Sequence, residues 1–214
     1  MDDEVARCAG RFLRGRMIDL ACGTKPFREL LAPHVGEHVG LDREGPFDPD
    51  ARPELVGPAD AIPAPDGSFD SALCTAALEH LPEPEAAVRE CFRVLKPGAH
   101  AVYLVPLIWH LHAEPWDYWR FTKHGLDHLF RKAGFEIVEV RALSGWWVTS
   151  ATLFCYYLDR LRWMKRRPFK WIKLRKLLGW SAQSIARRFE RLDRAEEWTW
   201  MYSLVARKPL PVSG

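Results

Sequence analysis

The stretch MIDLACGTKP, residues 17–26, decides how the chain folds. MIDL (17–20) reads as a short buried strand, and ACGTKP is a turn leading into the helix-like FRELL at 27–31. A strand carrying Asp19, a turn containing Gly23 and then a helix is the first βα unit of a nucleotide-binding sheet. Glycine lets the backbone approach a ligand closely, and a helix N-terminus offers unpaired N–H groups. HVGL (38–41) reads as the second strand, closed by Asp42. A carboxylate in that place can accept from both hydroxyls of a ribose.

The same alternation continues downstream. A loop rich in Pro and Asp (42–68) holds a short third strand around Glu54 to Val56, and SFDSALCTA (68–76) forms the fourth. A helix at 83–94 shows the stripe Val88, Cys91, Phe92, Leu95; KPG (96–98) then acts as a stop and turn. AHAVYLVP (99–106) is the fifth strand, a helix spans 123–133 before Gly134, and FEIVEV (135–140) and WTWMYSLVARK (198–208) are the sixth and seventh strands. Strand and helix alternate over the first 140 residues, so an α/β fold with a parallel sheet is expected. Nearly 60 residues separate the last two strands. That is far beyond a hairpin, so 142–197 is expected to be a helical insertion within a single domain spanning 1–214.

At 214 residues and 48% hydrophobic content the chain suits one compact domain with an embellishment. Its five cysteines are an odd number without paired spacing and include no C-x-x-C, which excludes a disulfide framework and a zinc ribbon. The N-terminus has no apolar run of signal-peptide length, so a cytoplasmic protein is expected.

Taken together, IDLACGTKP, GLD and the segment from Pro58 to Pro106 resemble the type 11 group of class I S-adenosylmethionine-dependent methyltransferases. The most specific pieces are P-x-P-D-x-S-F-D (63–70), Leu-Glu-His (78–80) and R-V-L-K-P-G (93–98). The resemblance implies a Rossmann-like seven-stranded sheet, mostly parallel with its last strand antiparallel, and S-adenosylmethionine as cofactor. It implies that Asp19 orders the glycine turn and faces the methionine amino group. Ala21, Cys22 and Gly23 would lie against the cofactor, Asp42 would hold the ribose, and Thr75 and Ala76 would flank the methionyl part. His80 would pack near the cofactor; for Glu79 and His80 a hydrogen bond at a helix entry is the competing role.

The chain departs from the family's pattern in three places. Ala21 stands where the first glycine is usual, and Lys25 where a third often occurs. A methyl at position 21 is accommodated when φ there is not positive. Pro58 occupies the place of the acid that contacts adenine, which leaves Asp60, with Ala61, as the substitute. These departures support one alternative, a methyltransferase fold acting as a binding or scaffold module. A nicotinamide enzyme would need G-x-G-x-x-G, whereas Gly23 stands alone in the turn. Methylation of base amino groups would need an N-P-P-Y-type tetrapeptide, and residues 74–77 are CTAA.

Chemistry on the acceptor is expected after strand five, in PLIWHLHAEPWDYWRFT (106–122), because open α/β sheets place ligands at the carboxyl ends of their strands. The loop resembles the H-x-E-P-x-D-Y-W-R-F-T segment of a bacterial methyltransferase subgroup associated with cell-surface glycans or lipids. His112 is the candidate general base, with Glu114 or Asp117 orienting it. Trp116, Tyr118 and Trp119 would line the site, and Arg120 would act in it or pair structurally with Asp117. A metal held by His110, His112 and Glu114 lacks evident further ligands, so no metal is expected.

Residues 159–194 hold 13 Lys/Arg and 3 Asp/Glu, a net +10 that leaves −7 on the rest of the chain. They follow the charge-free stretch Ala142 to Leu158 and interleave Trp163, Phe169 and Trp171 with the cations. Three readings stand: a helical cap or homodimer contact, an interfacial helix resting on anionic lipid, or an acidic-polymer surface. The acceptor classes expected are a small molecule, a glycan or a lipid-linked compound, with nucleic acid disfavoured.

Overall fold

The computed structural model describes residues 1–43, 52–160, 170–192 and 195–211. It divides into two compact units. The first is drawn from Met1–Pro106, Leu111–Arg141 and Tyr202–Gly214, and the second from Leu107–His110 and Ala142–Met201.

The first unit is built on a seven-stranded sheet: β1 (Arg16–Leu20), β2 (Glu37–Asp42), β3 (Leu55–Val56), β4 (Phe69–Thr75), β5 (Leu95–Pro106), β6 (Glu136–Ala142) and β7 (Met201–Arg207). The strand order is β3-β2-β1-β4-β5-β7-β6. β1 runs parallel to β2, with Asp19 opposite Gly40, and to β4, with Asp19 opposite Leu73. β4 pairs in parallel with β5 through a register irregularity between Phe69 and Ser71. β7 is antiparallel: Gly98 N–H donates to Lys208 O at 2.8 Å, and Lys208 N–H returns to Ala99 O at 2.9 Å. The parallel α/β sheet expected from the alternation is present, with the seven strands and antiparallel last strand that the resemblance implied.

Strands covered on both faces read as near-continuous apolar runs. Met17, Ile18 and Leu20 of β1, Ala72 and Leu73 of β4, and Val102 and Leu104 of β5 are all 0–2% exposed and form the centre of the core. The flanking helices are α1 (Asp2–Phe12), α2 (Arg28–Leu31), α3 (Pro84–Val94) and α4 (Lys123–Lys132). α1 is an element that the sequence reading passed over. It buries Val5, Cys8 and Phe12, and Arg7 joins Glu4 on its own turn to Glu139 on β6.

One expectation holds and one needs correction. α3 ends at Val94, where KPG signals a stop, and the backbone turns at Gly98, with φ of 79°; Leu95 pairs with Phe69 and His100 with Ser71, so KPG loops out of the β4 register within β5. The helix end is closed from a distance, because the ammonium of Lys208 donates to the carbonyls of Phe92 and Leu95, each at 2.7 Å, carbonyls that a C-terminal glycine turn would otherwise satisfy. The buried stripe of α3 is Ala87, Val88, Cys91 and Val94. Phe92 instead packs edge-on against Phe135 at 5.0 Å, and Leu95 belongs to β5.

In the second unit, α5 (Trp146–Arg160) and α6 (Lys170–Glu190) form an antiparallel pair. Gln183 donates to the Thr152 hydroxyl at 3.0 Å, and Trp147 stacks on Phe189 at 4.9 Å. The Glu190 carboxylate accepts from Gly145 N–H and from Val148 N–H (3.2 Å), capping α5 from the end of its partner. The expected helical insertion is thus present. Of the basic block, 161–169 and 193–194, with Trp163 and Phe169, lie outside the described residues, as do the side chains of 170–177, including Trp171.

Candidate active site

β1 and β4 are neighbours from which the chain order runs in opposite directions, so the crevice beyond their carboxyl ends is the topological switch point. The backbone there is held in a conformation that L-residues avoid. Ala21, Gly23 and Lys25 have φ of 53°, 50° and 57°, and Ala76, just after β4, has 49°. The left-handed region costs a non-glycine residue about 1–2 kcal/mol. The alanine at 21 therefore sits where it is disfavoured, contrary to the condition drawn from the sequence. The fourth non-glycine residue at positive φ among those described, Ala113, lies in the loop after β5. All four thus follow strands at the same edge of the sheet, where strain marks functional backbone.

Side chains hold this turn in place. Cys22 N–H donates to Leu41 O at 3.1 Å, and Gly23 N–H donates to the Asp42 carboxylate at 2.8 Å. The other Asp42 oxygen accepts Arg43 N–H at 2.8 Å. Lys25 is buried; its ammonium reaches His38 O at 3.3 Å and pairs with Glu54, which also accepts Gly40 N–H at 2.6 Å. Gly40 makes room for this: a Cβ there would fall 2.5 Å from Cys22 Sγ and closer still to Lys25 Cε. The lysine in the place of a third glycine is therefore matched by a glycine on the neighbouring strand.

Asp19 is buried, and its carboxylate meets His38 Nε2 at 2.9 Å, a partner with no signal in the sequence. Burial pushes the Asp19 carboxyl above its ordinary range, and His38 opposes the shift. Thr75 ends β4, and Ala76 N–H donates to Leu104 O at 2.8 Å. Asp60 is partly exposed, 3.7 Å from the Arg43 guanidinium, and Ala61 is exposed beside it. Two of the three most specific motifs, those at 63–70 and 93–98, form one clamp. Arg93 donates to Ile62 O and Ala64 O, each at 2.9 Å, and to Asp66 at 2.7 Å, while Glu90 accepts Ile62 N–H at 2.9 Å.

After β5 the loop gathers ionisable groups. His112 Nδ1 lies 3.2 Å from the Asp117 carboxylate, which also accepts His112 N–H at 3.0 Å. Arg120 grips the same carboxylate with both terminal nitrogens, at 2.6 and 2.7 Å, holding it well below the usual carboxylate range. Asp117 therefore orients His112, and Glu114 stays exposed. Trp116, Tyr118 and Trp119 are 38–45% exposed, and the amides of Tyr118 and Trp119 donate to Glu79 O at 3.0 and 3.2 Å. These bonds anchor the loop on the short helix Leu78–His80.

Glu79 is a residue for which the sequence suggested only a helix-entry bond. It is fully buried, neither carboxylate oxygen has a hydrogen-bond partner, and burial pushes its carboxyl up to about 7. His80 Nδ1 donates to Trp116 O at 2.8 Å, and its ring meets that of His112 edge-on at 4.7 Å. His110 belongs to the second unit, against Trp109 and Tyr156, and residues 107–112 form no strand.

The turn fits an adenosylmethionine. The Asp42 carboxylate offers about four acceptor sites, of which backbone amides use two, leaving the rest for a ribose diol. Residues 18–103 match the model of a methyltransferase domain. Over 130 residues the chain is 34% identical to the demethylmenaquinone methyltransferase of Lactiplantibacillus plantarum, covering 50% of this chain and 52% of that protein. Over 112 residues it is 27% identical to a ubiquinone biosynthesis O-methyltransferase of Alkalilimnicola ehrlichii, covering 47% and 45%. The chain thus spans about half the length of these two curated relatives. A putative methyltransferase from Bacillus halodurans shares the fold with a TM-score of 0.61 at 16% identity, over 96% of this chain and 98% of that one. The cyclase SpnF shares it at 0.64 and 21% identity, over 98% and 80%.

Proposed function

We propose that this chain is an S-adenosylmethionine-dependent methyltransferase that delivers a methyl group to an oxygen or nitrogen of a small-molecule or lipid-linked acceptor. One observation carries the reading: Ala21, Lys25 and Ala76 hold left-handed backbone at the switch point, and Gly23 is tied there to Asp42. A strained turn that closes on a ribose-competent carboxylate is a nucleoside cradle, and the matched methyltransferase domain names the chemistry.

Bound in that cradle, S-adenosylmethionine supplies a methyl group already activated on a sulfonium. Asp42 takes the ribose hydroxyls, Asp19 faces the amino group, and Asp60 with Ala61 edges the base. Cys22, Thr75 and Ala76 line the cradle. On the acceptor side, Arg120 fixes Asp117, and Asp117 accepts the Nδ1 proton of His112, so that Nε2 takes the acceptor's proton. Trp116, Tyr118 and Trp119, with Glu114 at the tip, form the wall the acceptor meets. The two curated relatives are named for demethylmenaquinone and ubiquinone biosynthesis. The A. ehrlichii relative is named an O-methyltransferase, which suits a quinone-type acceptor bearing a hydroxyl. Calorimetry with S-adenosylmethionine tests the assignment: saturable binding is expected, and none at millimolar cofactor would leave only the scaffold reading.

The second unit supports a lipid-facing role. Phe154, Tyr157 and Trp180 are 52%, 64% and 71% exposed, in a segment whose composition is strongly basic. The mode proposed is peripheral; no described helix is long and apolar enough to cross a membrane. Sedimentation with anionic liposomes at physiological salt should exceed that with neutral ones; equal sedimentation removes this reading.

A further inference from the structure

Two groups of side chains among the described residues bring metal-ligating atoms together: Glu4, Cys8 and Glu139, and Glu79, His80 and His112. The first is already occupied by a cation of the protein's own. Arg7 pairs with both Glu4 and Glu139, and its guanidinium supplies the charge a metal would bring. In the second, the Arg120 guanidinium acts on Glu79 but does not hydrogen-bond its carboxylate. Donor atoms from Glu79, His80 and His112 lie within 4.8 Å of one another, and His80 Nε2 is 3.9 Å from Glu79 Oε1.

Three further features fit a cation. Glu79 is wholly buried with neither oxygen hydrogen-bonded, an arrangement that is costly unless a partner arrives. Both histidines have their Nδ1 proton directed away from the group. A carbonyl can only accept, so the contact to Trp116 O puts the proton of His80 on Nδ1 and the lone pair on Nε2. The Asp117 carboxylate does the same for His112. Backing by a backbone carbonyl and by a carboxylate is the outer shell that metal-ligating histidines have.

We infer that Glu79, His80 and His112 form a binding site for a divalent cation of the zinc and cobalt class. Two imidazoles and one carboxylate are borderline donors that suit such ions better than magnesium or calcium. Tetrahedral ligands on a 2.0–2.1 Å bond lie roughly 3.4 Å apart, so the three side chains close by up to about an ångström and a half on loading. The cation leaves at least one position open for water or an acceptor oxygen. It also commits the His112 lone pair, so the loaded and empty proteins differ in how the acceptor loses its proton. Cation binding itself does not rest on the methyltransferase reading; only that consequence does.

The test is titration of the full chain, free of any affinity tag and stripped of metal, with Co2+, followed by visible ligand-field absorption and calorimetry. One equivalent should bind with a visible spectrum. His80→Ala and His112→Ala should each weaken binding more than about tenfold, Glu79→Gln should do likewise, and Asp117→Asn should weaken it about 10–100-fold through the outer shell. His128→Ala sets the background, because exposed His124 and His128 stand four apart on α4 and can hold Co2+ weakly. Circular dichroism and S-adenosylmethionine binding, measured on the same preparations, establish that each variant is folded. Folded wild type without the spectrum overturns the inference, as does binding that survives His80→Ala but not His128→Ala. Loss of S-adenosylmethionine binding with Co2+ binding intact would overturn the methyltransferase reading instead.

Discussion

The loops after β1 and β5 open on the same edge of one sheet but are built by different means. Residues 21–25 are shaped by backbone: three left-handed residues, amides pointed at fixed acceptors, and a buried lysine that fills space and pairs behind the turn. Residues 111–122, seated on the short helix 78–80, are shaped by side chains: a bidentate arginine, an aspartate it grips, and His112 with His80 beside Glu79, whose carboxylate has no hydrogen-bond partner. Under the proposed function, this difference follows the two halves of the reaction. A sulfonium donor is already activated and has only to be held, which backbone dipoles do without titrating. An acceptor hydroxyl must lose a proton, which requires groups that can take it.

That contrast can be broken by exchanging the effects of substitution at the two loops. Asp117→Asn should have the largest effect. It removes the charge that Arg120 grips and the acceptor for the His112 proton, so turnover should fall about 100-fold or more, while cofactor affinity by calorimetry stays within a factor of about two. A matching loss of cofactor affinity would show that the loops are not separable. A smaller pair of changes of opposite sign sharpens the other side. Gly40→Ala should cost about 1–3 kcal/mol, seen as a lower denaturant midpoint, because its methyl collides with Cys22 and Lys25. Ala21→Gly should stabilise by roughly 0.5–1 kcal/mol, seen as a higher midpoint: release of the left-handed strain outweighs the added freedom of the unfolded chain. Ala21→Gly that destabilises would mean the turn relaxes out of the left-handed region.

Much of the sheet was legible because buried parallel strands are written as apolar runs, and MIDL and AHAVYLVP need no partner to be recognised. Boundaries failed where tertiary contacts intervened. KPG ends the helix and turns the backbone at Gly98, yet β5 begins before it at Leu95, because Lys208, more than a hundred residues away, closes the helix and pairs along that stretch. α1 was missed because its apolar positions are few and the neighbours that bury it lie far along the chain. On the donor side Asp19, Gly23 and Asp42 could be picked out by spacing, since each lies within a few residues of a strand end. His38, Lys25 and Glu54 could not, because their roles depend on which strand adjoins β1.

The sequence by itself determined the order of elements, the glycine turn, the ribose-competent Asp42 and the concentration of titratable groups after β5. These are local properties of strand ends and turns, written in neighbouring residues. Packing alone set Asp117 rather than Glu114 behind His112, put the His112 ring against that of His80, and buried Glu79 with no hydrogen-bond partner. Those facts depend on two loops, more than 30 residues apart in sequence, being carried by adjacent strands to one edge of the sheet. Periodicity and spacing do not encode such a meeting; strand order and register do.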